Sequence, residues 1–192
     1  MKSNFPSRLI GITFWLAPLL MFLSDLTGLV FGEQFFWISS ILFWLSFYTF
    51  LLLIIGMVQL SNYSSFSVSS ALIAGFGVLI GITIIGISRM AWGVETEGVS
   101  HVVIVSADSN PWVFFTSRFP GITFPVGLIL LVVSLKRKNV INNYLMAGLI
   151  FSLLLFPLGR IPKELIINVV GDAFMIIFFG MVGKAYQLKM NS

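Results

Sequence analysis

Long apolar runs dominate the chain, and its polar residues gather mostly between them. A helix that crosses a membrane needs about 20 mainly apolar residues to match about 30 Å of hydrocarbon. Six stretches meet that need: residues 9–31, 36–60, 67–88, 111–135, 141–160 and 163–186. The pattern predicts an all-α integral membrane protein, a bundle of six transmembrane helices forming one domain over residues 1–192. Residues 89–110 form the one sizeable connection, read as an extracytoplasmic loop. The other connections are short, which makes sequence neighbours antiparallel. Lys2 and Arg8 precede an apolar stretch from Leu9, but no small-x-small cleavage site follows and the run continues to Phe31. It therefore reads as an uncleaved first span and not as a signal peptide.

Punctuation refines the spans. Ser109-Asn110-Pro111 gives a capping residue and then proline at the first helical position of span four. Arg160-Ile161-Pro162 separates spans five and six, and Pro157 is expected to kink the end of span five. Span four, PWVFFTSRFPGITFPVGLILLVVSLKRK, is interrupted by Pro120-Gly121 and Pro125. The part after Pro125 is too short to cross alone, so the helix is expected to be kinked or broken at Pro120-Gly121. Irregular backbone at membrane depth is tolerated beside protein or a water-filled cavity, and broken helices often line transporter sites. A packing kink is the plainer reading. In span three, Ser67, Ser70, Ala74, Gly77, Gly81 and Ser88 follow three- and four-residue spacing, with Ile84 the only interruption. Gly77-x-x-x-Gly81 lets another helix backbone approach closely, either within the chain or from a partner helix or second protomer.

Composition agrees with this layout. The 192 residues are 58% hydrophobic and only 9% charged, with 20 Phe and 5 Trp, and the mean hydropathy is +1.03. A soluble domain carries about a quarter charged residues. The absence of cysteine excludes disulfides, thiol catalysis, iron–sulfur clusters and c-type haem attachment within this chain. The single histidine, His101, cannot build a bis-histidine haem or a histidine metal cluster. No metal or cofactor is expected. Motifs for nucleotide, serine-hydrolase or zinc-protease chemistry are missing. No basic run has interleaved aromatics, so nucleic acid is not an expected partner; the lipid bilayer is.

Charge gives an orientation. Six spans put both termini on one side, together with Lys2, Arg8, Lys136, Arg137, Lys138, Lys184 and Lys189. The other half holds Arg89, Arg118, Arg160 and Lys163 with all seven acids: Asp25, Glu33, Glu95, Glu97, Asp108, Glu164 and Asp172. Lys and Arg accumulate on the cytoplasmic side, so N and C termini are expected there, with the SLKRKN sextet (134–139) as anchor. Zero cysteines and short loops suit a bacterial cytoplasmic (cell) membrane.

The charges inside the spans are grouped. Glu164, Asn168 and Asp172 recur every four residues on span six and make one polar stripe. Gly11, Pro18, Asp25 and Gly32 recur every seven residues on span one, which puts Asp25 on a face of close-approach residues. At about 1.5 Å per residue, Asp172 lies roughly 12 Å and Arg118 roughly 10 Å from the outer ends of their helices. Arg89 and Arg160 lie near the outer ends of spans three and five. A charge near the bilayer centre costs about 2.5–3.5 kcal/mol, and pairing with arginine offsets that cost. Asp25 and Asp172 are expected to face inward, with Arg118 as first-choice partner and Arg89 and Arg160 next. Glu95, Glu97 and His101 are expected at the entrance, although a lone loop histidine is more simply a surface hydrogen-bonding group.

Three functions stay open. The first is a small permease-like transporter of a small polar or charged solute, with Asp25, Arg118, Asp172, Glu164, Asn168, Arg89 and Arg160 as binding or ion-coupling candidates. The second is a non-catalytic membrane subunit or scaffold whose buried ion pairs only fix helix register. The third is a membrane-embedded, lipid-modifying enzyme using the Asp25 and Asp172 carboxyls.

Overall fold

The computed structural model describes residues 5–96, 121–162 and 164–191. Among the described residues the chain is all-helical: α1 (Phe5–Phe31), a one-turn 3₁₀ link (Gly32–Phe35), α2 (Phe36–Leu60), α3 (Ser65–Thr96), α4 (Thr123–Arg137), α5 (Asn143–Arg160) and α6 (Leu165–Asn191). Five of these are long and apolar enough to cross a membrane: Ser7–Phe31, Phe36–Leu60, Ser65–Ile84, Asn143–Arg160 and Leu165–Lys189. Large apolar side chains such as Leu72, Phe76, Leu79, Phe151 and Ile166 remain exposed on the outer faces. Water would penalise such a surface, whereas lipid does not. The structure supports a multi-pass membrane helical bundle.

Local chemistry sets the boundaries. Asn62, with φ 56°, ends α2, and Asn139, with φ 55°, ends α4, each as the left-handed residue of a Schellman turn. In the first, Asn62 N–H donates to Gln59 O and Tyr63 N–H to Val58 O; in the second, Asn139 N–H donates to Lys136 O and Val140 N–H to Leu135 O. Asn142 caps α5 by accepting from Leu145 N–H at 2.8 Å, and Ser64 caps α3 through Ser67 N–H. Pro125 falls in the first turn of α4, where a missing N–H breaks no helical bond. Pro120 lies outside the described residues. Pro157 sits inside α5, as does Pro18 in α1. One boundary differs from expectation. The third span is expected to end at residue 88, whereas α3 continues to Thr96; residues 97–110 of the expected loop lie outside the described residues. Residues 89–96 hold no proline and several good helix formers, so nothing local stops the helix.

The helices pack in chain order around a ring, which α6 closes by packing on α1. α2 also reaches inward to α4 and α6. An aromatic cluster fills the middle: Phe124 meets Phe47, Phe50 and Phe156 edge-on, and Phe50 meets Phe179. Leu53, Met57, Leu128, Leu131 and Leu135 continue this core toward the end that carries the chain termini. There α6 is fastened to the α2–α3 turn. Tyr186 donates to Gln59 Oε1 at 2.6 Å, and Lys189 Nζ donates to Leu60 O at 3.0 Å and Asn62 Oδ1 at 2.9 Å. A cation on the last carbonyls of α2 also complements its dipole.

Glycines set the helix spacing. A Cβ on Gly77 would meet Phe124 N at 2.2 Å, and one on Gly127 would meet Ala74 N at 2.3 Å, so α3 and α4 cross backbone to backbone. Gly81 receives the Phe47 ring. The close approach offered by Gly77 and Gly81 is thus taken up by α4 and α2 of the same chain. Gly180 and Gly183 do the same for α6 on α1, against Trp15 and Phe14.

Gly77→Val is expected to lower stability by at least about 1–3 kcal/mol, the usual cost of overpacking, since backbone cannot move aside as a side chain can. Gly75→Ala, whose Cβ meets nothing within 4 Å, is expected to be neutral or slightly stabilising through helix propensity. Thermal unfolding of the purified variants in one detergent checks both.

Candidate functional site

The site begins at the α5–α6 turn. Arg160 is the last residue of α5, and Pro162 prevents the helix from continuing. Glu164 N–H donates back to Gly159 O at 2.7 Å, which folds the turn tightly. Gly159 permits this, because a Cβ there would meet Asn168 Oδ1 at 2.1 Å and Asn168 N at 2.9 Å. The first turns of α6 therefore lie directly on the end of α5, and Asn168 and Asp172 come beside Arg160.

α1 supplies the third charge. Ser24 Oγ donates to Ser39 O at 2.7 Å and Ser39 Oγ donates to Ser24 O at 3.0 Å, a reciprocal tie between α1 and α2. The next residue on α1 is Asp25. Arg160 Nη2 donates to Asp25 Oδ2 at 2.7 Å and Nη1 to Asp25 Oδ1 at 3.3 Å, a fork on one carboxylate. The same Nη2 lies 3.5 Å from Asp172 Oδ2, an ion pair too long for a good hydrogen bond. Two oxygens from different helices thus flank one nitrogen. The guanidinium is sandwiched between rings, with its carbon 4.3 Å from the Phe43 centroid and 4.7 Å from that of Phe156. Such contacts contribute about 0.5–2 kcal/mol each, more when desolvated. Side-chain exposure is 19% for Arg160, 8% for Asp25 and 2% for Asp172.

The polar balance of the cluster is incomplete. Arg160 Nε, Asn168 Oδ1 and Asp172 Oδ2 are buried without a hydrogen-bond partner among the described residues. One guanidinium faces two carboxylates. Among the described residues no group of three or more His, Cys, Asp or Glu gathers for a metal ion.

No family model, curated protein or solved structure matches this chain.

Of the residues singled out by the sequence, the structure brings together Asp25, Arg160, Asn168 and Asp172. Glu164 does not join them. It is exposed in the turn before α6, one residue ahead of the helix that would have aligned it with the stripe. Arg160, ranked behind Arg118, is the cation seated on both aspartates. Arg118, Glu97 and His101 lie outside the described residues, as do the side chains of Arg89, Glu33 and Glu95. The sequence reading missed Phe43, Phe156 and the Ser24–Ser39 tie. Phe156 could have been found as the residue one helical turn before Arg160. Phe43 is one of 20 phenylalanines, and nothing in its spacing sets it apart.

Removing one partner from a buried charge cluster costs about 3–5 kcal/mol, since the others are left uncompensated. Arg160→Leu is expected to lose stability on that scale, as read by thermal unfolding in detergent. Arg160→Leu combined with Asp25→Asn and Asp172→Asn should recover most of the loss, because no buried charge remains.

Proposed function

We propose that this chain is a small permease-like membrane protein whose binding site for a small polar or charged solute is the cluster of Asp25, Arg160, Asn168 and Asp172. The observation that carries the reading is its imbalance. One acid would suffice to hold Arg160 in place, yet two converge on it and three buried polar atoms keep unused bonding capacity. Ionisable groups inside membrane helices are functional candidates by default. The aromatic cluster between this site and the terminal end favours access from the opposite end. The excess of Lys and Arg near the termini argues that the termini are cytoplasmic and the cluster extracytoplasmic, in the cell membrane of a bacterium. In this reading the exposed Glu164 lies toward the mouth; Arg118, Pro120 and the Arg89 side chain lie outside the described residues.

One observation favours the scaffold reading instead. Asp25 takes both terminal nitrogens of Arg160 while two phenyl rings hold its faces, which is how a fixed ion pair would be built.

Uptake of a panel of labelled small amines, amino acids and carboxylates into proteoliposomes separates the two. The permease reading expects at least one to enter faster than into protein-free vesicles, and Asp172→Asn to abolish that uptake while the protein stays folded. Equal rates with and without protein across the panel would favour the scaffold. The orientation has its own check, because the chain has no native cysteine. On intact cells an impermeant maleimide should label Glu164→Cys, and should label Tyr144→Cys only after permeabilisation.

A further inference from the structure

We infer that Asp25 and Asp172 hold one exchangeable proton between them, so that the cluster is a proton-binding site. The inference rests on the reading of this cluster as a working site and names the ion it uses. The first support is the charge count. Arg160 carries one positive charge and neutralises one carboxylate. With both acids ionised, the cluster would keep one uncompensated negative charge at 8% and 2% side-chain exposure, which a low-dielectric interior strongly disfavours. One proton on either carboxyl makes the set neutral: a guanidinium, a carboxylate and a carboxylic acid.

The second support is geometric. Both carboxyls lie against the same Arg160 nitrogen, Nη2, at 2.7 and 3.5 Å. Two carboxylates held around one cation repel each other when both are ionised, and a shared proton removes that repulsion. Asp172 Oδ2 and Asn168 Oδ1 are both buried without a donor. They stand one helical turn apart, so a proton on the Asp172 carboxyl could also be donated to Asn168 Oδ1. The described side chains around the two carboxyls come from several helices. α1 presents Asp25, α5 presents Arg160, and α2 presents the uncharged Phe43. In the turn before α6, Glu164 is exposed and eight residues from Asp172. Release of the proton leaves two carboxylates competing for one guanidinium, which weakens the tie among α1, α5 and α6.

The chain has only three aspartates, Asp25, Asp108 and Asp172, so labelling aspartate carboxyls with carbon-13 gives few signals. A pH titration of the full chain in detergent micelles, followed by NMR, tests the inference, with Asp108→Asn assigning the third signal. The expected result is that the two remaining signals shift together through a shared step of one proton. Asp25→Asn should remove that coupling from the Asp172 signal. If Asp25→Asn fails to fold, the joint shift in Asp108→Asn alone decides. Two signals that stay ionised throughout, or that titrate independently, would overturn the inference. Solute uptake without a shared proton step overturns it and leaves the permease reading standing; a shared step without uptake of any solute overturns the permease reading alone.

Discussion

The bundle is organised around a guanidinium that must not be left unpaired. Arg160 sits at the end of an apolar helix, where it is largely buried between Phe43 and Phe156 and an unpaired charge is costly. Asp25 and Asp172 carry the same liability. None of the three is tolerable alone, and each becomes tolerable only if α1, α5 and α6 hold a particular height and rotation. Apolar packing in lipid cannot impose such a register, because lipid tails are as apolar as the side chains they would replace. The charge cluster supplies the missing specificity among these helices.

The small residues follow from that demand. A fork of 2.7 and 3.3 Å tolerates little error in the position of either helix. Gly159 lets α6 fold back onto α5 at the place where Arg160 must meet Asp172. Gly180 and Gly183 let α1 and α6 pack closely at Trp15 and Phe14, ten and more residues along α1 from Asp25. The Ser24–Ser39 tie then fixes α2, which delivers Phe43 onto one face of the guanidinium. α3 and α4 contribute no described charge to the cluster. They are held by a different device, the backbone-to-backbone crossing at Gly77 and Gly127.

Much of this was legible in the sequence, for identifiable reasons. Apolar length announces a membrane helix without reference to its neighbours, so the five long spans could be read directly. The three-and-four spacing of Ser67, Ser70, Ala74 and Gly77 announces a close crossing, though not with which helix. Asp25, Asn168 and Asp172 stood out because polar groups are scarce in such surroundings. The choice among arginines was not legible. Arg118, Arg89 and Arg160 share one half of the bundle by counting residues along each helix, and counting does not give rotation. The turn at Gly159 and the serine tie between α1 and α2 bring the Arg160 guanidinium to the acids, and neither is announced by the spacing of charged residues. Glu164 illustrates the same limit. It obeys the four-residue period, and its carbonyl accepts the Asn168 N–H, yet its side chain is exposed at the helix start and does not join the cluster.

The two ends of the bundle are fastened by different physics. At the terminal end, Schellman turns at Asn62 and Asn139 satisfy the last carbonyls of their helices. Neutral hydrogen bonds and a single lysine then tie α6 to the α2–α3 turn. The partners are matched there, so the tie does not depend on the charge state of an acid. At the opposite end the tie is one guanidinium shared by two acids, with three polar atoms unsatisfied. Its strength depends on whether one positive charge more is present. A bundle with one matched end and one unmatched end has an inherent direction for any rearrangement. Adding or removing a cation, a proton or a polar solute changes the energy at the unmatched end and leaves the other undisturbed. The aromatic layer of Phe47, Phe50, Phe124, Phe156 and Phe179 lies between them. Phe156 belongs to both, touching Arg160 on one side and Phe124 on the other.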